Sequence, residues 1–140
     1  MSGNPGRCFL DTNIWLYAFI TGQDPRKTRK AKYLLATARE IVLSTQVINK
    51  MCVNLLRKAI FTEREIRELI EDPYDAYLVV ELDRAIHLKA SELRERAQFS
   101  FWDSTIVANA LLSGAPILYS EDMQDGYVVE GKTTIVNPFK

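Results

Sequence analysis

Short apolar runs alternate along this chain with segments whose apolar residues recur at helical spacing. Cys8, Phe9 and Leu10 form the first run, which stops at Asp11 and reads as a buried strand. The apolar residues between 13 and 19 predict a helix, with Thr12 or Asn13 as its cap. Thr21, Gly22, Gln23, Asp24 and Pro25 read as a turn, and residues 26–40 as a helix with a basic first half. Ile41, Val42 and Leu43 make a second strand. Ser44 and Thr45 are placed to cap a helix running to about Ala59. On that helix Val47, Ile48, Met51, Cys52, Leu55 and Ala59 share one side, and Lys50, Asn54 and Arg57 the other.

Thr62 with Glu65 fits a capping box for a charged helix through about Glu71, with Pro73 expected to end it. Residues 77–82 read as a strand, and Asp83 caps a helix to about Ala97. Trp102, Asp103 and Ser104 open a further helix, with Asp103 an N-cap candidate and Ile106, Val107, Ala110 and Leu111 buried, stopped at Gly114. Residues 116–120 form a strand ending at Glu121 and Asp122, and residues 134–136 a last strand before Pro138. Strands alternating with helices predict an α/β fold around a mainly parallel central sheet. No repeat, low-complexity tract or linker interrupts the pattern, so residues 1–140 are expected to form a single domain.

Composition narrows the class. A chain of 140 residues with 47% hydrophobic and 26% charged residues can bury a core and is not a disordered one. Zero net charge argues against a bulk nucleic-acid coat but leaves room for a local basic rim. Residues 26–32 carry Arg26, Lys27, Arg29, Lys30 and Lys32, whereas residues 63–83 are strongly acidic. Cys8, Cys52 and the lone His87 cannot make a zinc site of the usual kind, and two apolar-flanked cysteines suggest buried free thiols in a reducing, cytoplasmic setting. The longest apolar run, 14–20, is too short to span a bilayer, and no secretory signal is expected before Cys8.

The chemistry lies in the acids at strand ends. Ligands of open parallel sheets bind beyond the carboxyl ends of the strands. Asp11 ends the first strand, Glu121 and Asp122 follow the strand at 116–120, and Asp103 opens the helix just before it. Taken singly, each has an ordinary role as cap or turn residue; taken together they bring carboxylates from separate segments to one rim. Gathered carboxylates repel and raise one another's pKa, and a hard cation relieves that. An oxygen-only donor set favours magnesium or manganese. Such an ion can orient a phosphodiester and acidify an attacking water.

The segments that carry these acids resemble a known family. Phe9-Leu-Asp-Thr-Asn13 is similar to the opening signature of PIN domains. Leu43-Ser-Thr-Gln-Val-Ile-Asn49, Phe101-Trp-Asp-Ser104 and Leu118-Tyr-Ser-Glu-Asp-Met-Gln124 resemble the later segments of a VapC-type subgroup, in order and over residues 7–138. The resemblance implies a PIN-like three-layer α/β/α fold and a magnesium-dependent endoribonuclease, with manganese able to substitute. It also implies the toxin half of a toxin–antitoxin pair, with RNA as substrate, a cognate antitoxin as partner and a homodimeric state. It places catalytic and metal-binding roles on Asp11, Asp103 and Asp122, with Thr12, Asn13, Ser104 and Ser120 in support. Glu121, next to Asp122, is expected to point its side chain the other way.

One position departs from that pattern. The family expects Glu after Gln46-Val-Ile-Asn49, and this chain has Lys50. The exchange moves the local charge by two units, and a protonated amine repels a cation instead of ligating it. At roughly 5 Å and an effective dielectric near 20, one unit pair is worth about 3 kcal/mol. Weakened metal binding and low or absent cleavage follow. Two explanations stand: a loss-of-function substitution in a harmful toxin, or a natural site in which Lys50 contacts RNA phosphate. A plain surface lysine is the third, structural, possibility. Lys50 also supports an alternative function, a catalytically inactive PIN scaffold that binds RNA or a partner. A receiver-like phospho-acceptor domain fits worse, because paired acids at the first strand and a lysine at a later strand end are missing.

Other features are weaker. Arg26, Lys27 and Arg57 are possible RNA contacts, although a solvated helix face explains the same residues. Phe99, Phe101 and Trp102 could stack on bases, but core packing is the expected role. A single histidine argues against histidine-based ribonuclease chemistry, which needs both an acid and a base.

Overall fold

The computed structural model describes residues 6–20, 22–58 and 61–140. Among these residues six strands form one sheet: β1 (Arg7–Leu10), β2 (Glu40–Ser44), β3 (Leu78–Val80), β4 (Ile117–Tyr119), β5 (Val128–Val129) and β6 (Thr133–Val136). Their order is β3-β2-β1-β4-β6-β5, with every pairing parallel except that of β5 and β6. The helices are α1 (Thr12–Phe19), α2 (Pro25–Thr37), α3 (Thr45–Arg57), α4 (Glu63–Ala76), α5 (Arg84–Arg96) and α6 (Phe101–Leu112).

The strand order reverses beside β1. The chain steps outward from β1 to β2 to β3, then returns across the sheet to β4 on the other side of β1. Right-handed crossovers therefore put α1 to α4 on one face and α5 with α6 on the other. Within these layers α5 packs on α6, and α1 packs on both α2 and α3. The reversal opens a crevice at the carboxyl ends of β1 and β4, the place where open α/β sheets bind ligands.

The core lies where the sequence pattern puts it. Phe9, Leu10, Val42, Leu43, Leu118 and Ile135 are fully buried on the central strands, with Trp15, Met51, Leu55 and Ile106 from the helices. The Trp15 indole N–H donates to the Leu10 carbonyl at 3.0 Å, tying the first turns of α1 to the end of β1. Helix α6 is buried at every residue from Ser104 to Leu111, more fully than four spaced apolar positions imply.

Several boundaries differ from the sequence reading. Asp11, not Thr12 or Asn13, caps α1, with its carboxylate accepting from the Thr12 N–H. Ser100 caps α6, so Asp103 lies in the first turn, where an acid also suits the helix dipole. Pro73 does not end α4; it is buried inside that helix on the face of Ile66 and Leu69, and α4 continues to Ala76. Burial of the ring offsets the lost backbone donor this close to the helix end. The strand expected over 77–82 shrinks to Leu78–Val80, and the two-residue β5 was too short to show a periodicity. The Thr62–Glu65 capping box, the Asp83 cap and the Ser44 cap form as expected. Ala59, the expected end of the helix after Ser44, lies outside the described residues.

These packing roles separate two substitutions. Leu118→Ala should cost about 3 kcal/mol of stability through the cavity it leaves, and Thr62→Ala about 1 kcal/mol through the lost cap. Urea unfolding midpoints measure both; similar costs would contradict the placement of Leu118 at the centre of the sheet.

Candidate functional site

Asp11 follows β1 directly, so its position is set by the central strand of the sheet. Its backbone N–H donates to the Tyr119 carbonyl at 3.0 Å, extending the register of β1 with β4. One carboxylate oxygen accepts from the Thr12 N–H at 2.7 Å and the other from the Ser120 hydroxyl at 2.9 Å. Asp11 and Ser120 are both buried.

Burial pushes the Asp11 carboxyl above its ordinary range, because a charge loses hydration there. The Thr12 N–H, the Ser120 hydroxyl and the positive charge of Lys50 work against that rise, while the Asp103 charge adds to it. The two neighbouring charges thus act on Asp11 in opposite directions.

A cavity of about 140 Å³ opens at this point, lined by Asp11, Thr12, Asn13, Lys50, Asn54, Asp103 and Asp122. All three acids singled out in the sequence border it, and so does the lysine. Asp122 is oriented by Asn13, whose side-chain N–H donates to it at 2.7 Å. The Thr12 hydroxyl is buried with no hydrogen-bond partner among the described residues, leaving a polar atom beside the cavity for a guest to satisfy.

Glu121 faces away from Asp122 as expected, but β4 has already ended at Tyr119, so its own partners and not strand alternation set that direction. It accepts from the Tyr17 hydroxyl at 3.0 Å and pairs with the Lys27 ammonium. The same contacts engage Lys27 internally, and Arg26 donates to the Phe139 carbonyl at 2.9 Å. Both residues expected to guide RNA are therefore tied to the fold, whereas Arg57 is exposed. Ser104 is fully buried and does not line the cavity; it donates to the Phe101 carbonyl and accepts from Arg94. Its role is to fix the first turn of α6. Phe101 and Trp102 are not core residues: they are 53% and 60% exposed, with their rings edge to face at 5.1 Å and Arg94 over the Phe101 ring at 4.5 Å. Phe99 is half-buried, in the place expected of it.

Asn54 was missed as a site residue. It lies one turn beyond Lys50, donates to the Lys50 carbonyl at 2.8 Å and lines the same cavity. Its i,i+4 spacing from Lys50 was the available signal.

The donor set suits a hard cation in its chemistry, since it is made of oxygens. Among the described residues, however, no three His, Cys, Asp or Glu side chains stand close enough together to form a ready metal cluster. Magnesium commonly takes only one or two carboxylates, with water and substrate phosphate completing its shell. The cavity fits that sparser arrangement better than a tight three-acid cage.

An open parallel sheet with acids at its reversal point defines a class that the comparisons identify. The PIN domain family profile matches residues 8–124, and the chain belongs to that family. Its fold is similar to that of Mycobacterium tuberculosis VapC20, described as a toxin cleaving the sarcin–ricin loop, at 23% identity and TM-score 0.68, covering 82% of this chain and 89% of that one. A toxin–antitoxin complex from Klebsiella pneumoniae matches at 21% identity and TM-score 0.69, over 94% and 97% of the two chains. FitAcB from Neisseria gonorrhoeae matches at 12% identity and TM-score 0.63, over 94% and 98%. No curated protein sequence matches the chain. Among the described residues, no helix is long and apolar enough to cross a membrane.

The raised pKa of Asp11 has a definite sign. A carboxyl with a folded pKa above its unfolded value binds its proton more tightly when folded, so ionising it lowers stability as pH rises from about 4 through the folded pKa. Asp11→Asn keeps the cap and removes the charge. In chelator, it should melt at the same temperature as the parent near pH 3 and at a higher one near pH 7. Calorimetry across that range tests it; a gap independent of pH would contradict a buried-charge penalty.

Proposed function

We propose that this chain is a VapC-type PIN-domain toxin whose cavity at Asp11, Asp103 and Asp122 hydrolyses RNA with magnesium, and that Lys50 holds it in a weakened or inactive form. The observation that carries this reading is the convergence of these acids on one cavity at the reversal point of the sheet. The buried Thr12 hydroxyl beside them, without a protein partner, adds to it.

Each side chain then has a task. One or two of Asp11, Asp103 and Asp122 would ligate the ion directly and the remainder through water, with manganese able to replace magnesium. Ser120 and the Thr12 N–H keep Asp11 in one rotamer, and Asn13 does the same for Asp122. When bound, the ion would stabilise charge on the phosphodiester and acidify a water for attack. No covalent nucleophile is required. Arg57 remains available to an RNA backbone, whereas Arg26 and Lys27 would first have to leave internal partners. A cognate antitoxin and a second copy of the chain are the partners that the likeness to toxin–antitoxin complexes suggests.

Lys50 supports a second reading. Its charge acts on Asp11 from within the same cavity, so it competes with any cation that enters. On that reading the chain is a PIN scaffold that binds RNA or a partner without turnover.

Lys50→Glu separates the two. In the nuclease reading, magnesium-dependent cleavage of RNA rises at least about tenfold over the parent, consistent with removal of a repulsion worth more than about 1.4 kcal/mol, and falls back to background with Asp11→Asn. Manganese near 100 times the Kd of the Lys50→Glu chain should stabilise that chain by about 3 kcal/mol, and so raise its melting temperature more than that of the parent. Equal cleavage and equal metal response in the two chains would show that Lys50 does not control the site. RNA bound but left intact by Lys50→Glu would favour the binding module.

A further inference from the structure

A second cavity, of about 220 Å³, adjoins the acid cavity and shares Asp103 and Asp122 with it. Apart from these two acids, no charged side chain among the described residues lines it. Its walls are aromatic: Phe99 and Tyr127 meet edge to face, with ring centroids at 5.8 Å and planes at 64°. Met123, which is buried, also lines the cavity. The volume is below the roughly 300–1,000 Å³ of sites for drug-sized ligands, a size suited to a single ring system.

Gln98 and Gln124 supply the polar edge. Both are exposed and line the cavity, and neither side-chain amide has a hydrogen-bond partner among the described residues. The turn that carries Gln124 and Tyr127 is pinned to the sheet. The Gly126 N–H donates to the Ile135 carbonyl at 2.7 Å, and the Asn137 N–H to the Asp125 carboxylate at 2.8 Å. Gly126 has φ of 87°, a conformation open to glycine, which lets the turn close. The backbone of the Gln124–Tyr127 side of the pocket is therefore held in place before any ligand arrives.

We propose that this cavity is a nucleobase subsite that reads the base beside the phosphate at Asp103 and Asp122. The base ring lies against Phe99 and Tyr127, as bases of single-stranded RNA stack on aromatic side chains. Its edge is read by the Gln98 and Gln124 carboxamides. A carboxamide offers a donor and an acceptor side by side and pairs in two-point fashion with a base edge such as that of adenine. The phosphate meets Asp103 and Asp122 only through the proposed ion; the aromatic part of the pocket, with no cationic side chain among the described residues that line it, suits an uncharged ring. The inference rests on the RNA-cleavage reading above and gives that site its sequence preference.

The test compares the full chain, and the same chain carrying Lys50→Glu, with and without the pair Gln98→Ala and Gln124→Ala. The probes are short single-stranded RNA oligomers of each base, with binding read by fluorescence anisotropy and cut positions mapped on mixed-sequence RNA. The expected result is a preference of about tenfold for one base, at the level of one two-point contact. In the double glutamine variant, affinity for that base falls to the level of the others, and cut positions lose their base bias. Absence of a preference in the parent, or a preference unchanged by the double variant while RNA still binds, overturns the subsite and leaves the nuclease reading standing. Failure of every chain to bind or cut RNA overturns both.

Discussion

Asp11 is held by three constraints at once: it ends the central strand, caps the helix that leaves it, and accepts a hydroxyl from the end of the neighbouring strand. The carboxylate is buried, so each contact compensates lost hydration, and none is spare. The rest of the site is arranged around this fixed point. Ser120 must follow β4 in register, and Thr12 must open α1, or the carboxylate would be both buried and unsatisfied. A buried acid at a sheet centre is a poor way to stabilise a fold. Its place in the crevice where open α/β sheets bind ligands marks it instead as a candidate functional group.

The zero net charge of the chain conceals a strongly patterned crevice. Three acids and one lysine border the same small cavity, and Lys50 draws down the pKa that burial raises at Asp11. In the chain as it stands, the ammonium is the counter-charge closest in effect to what a divalent ion would supply. On the proposed reading, a cation and Lys50 are therefore alternatives for the same negative field. Elsewhere, charges are committed to structure. Lys27 and Glu121 neutralise one another beside Tyr17, and Lys89 and Arg96 both reach Glu130.

The first turn of α6 links the two cavities. Ser100 caps it, Ser104 anchors it to Arg94, and Asp103 projects into both spaces. Phe101 and Trp102 remain on the surface of the same turn because the next residues, from Ser104 onward, already fill the interior. A helix buried along its length can present its own side chains to a ligand only at its ends, which explains why the acid and the exposed aromatics occur together there.

Much of this was legible in the sequence. Period and capping residues located the central parallel strands and the starts of α3, α4 and α5, because burial alternation and caps are local properties of consecutive residues. The strand-end positions of Asp11 and Asp122 followed from the same logic and pointed to the crevice. Tertiary structure decided the rest. Whether Phe101 and Trp102 were core or surface depended on how α6 sits against its neighbours. Whether Pro73 ended its helix depended on what buried its ring. Lys27 was basic in the sequence but is engaged by Glu121, a residue far along the chain. Asn54 and the glutamine-lined cavity gained meaning only when α3, α5, α6 and the turn after β4 met in space. Contacts between residues distant in sequence leave no periodic trace, so only the folded chain could reveal them.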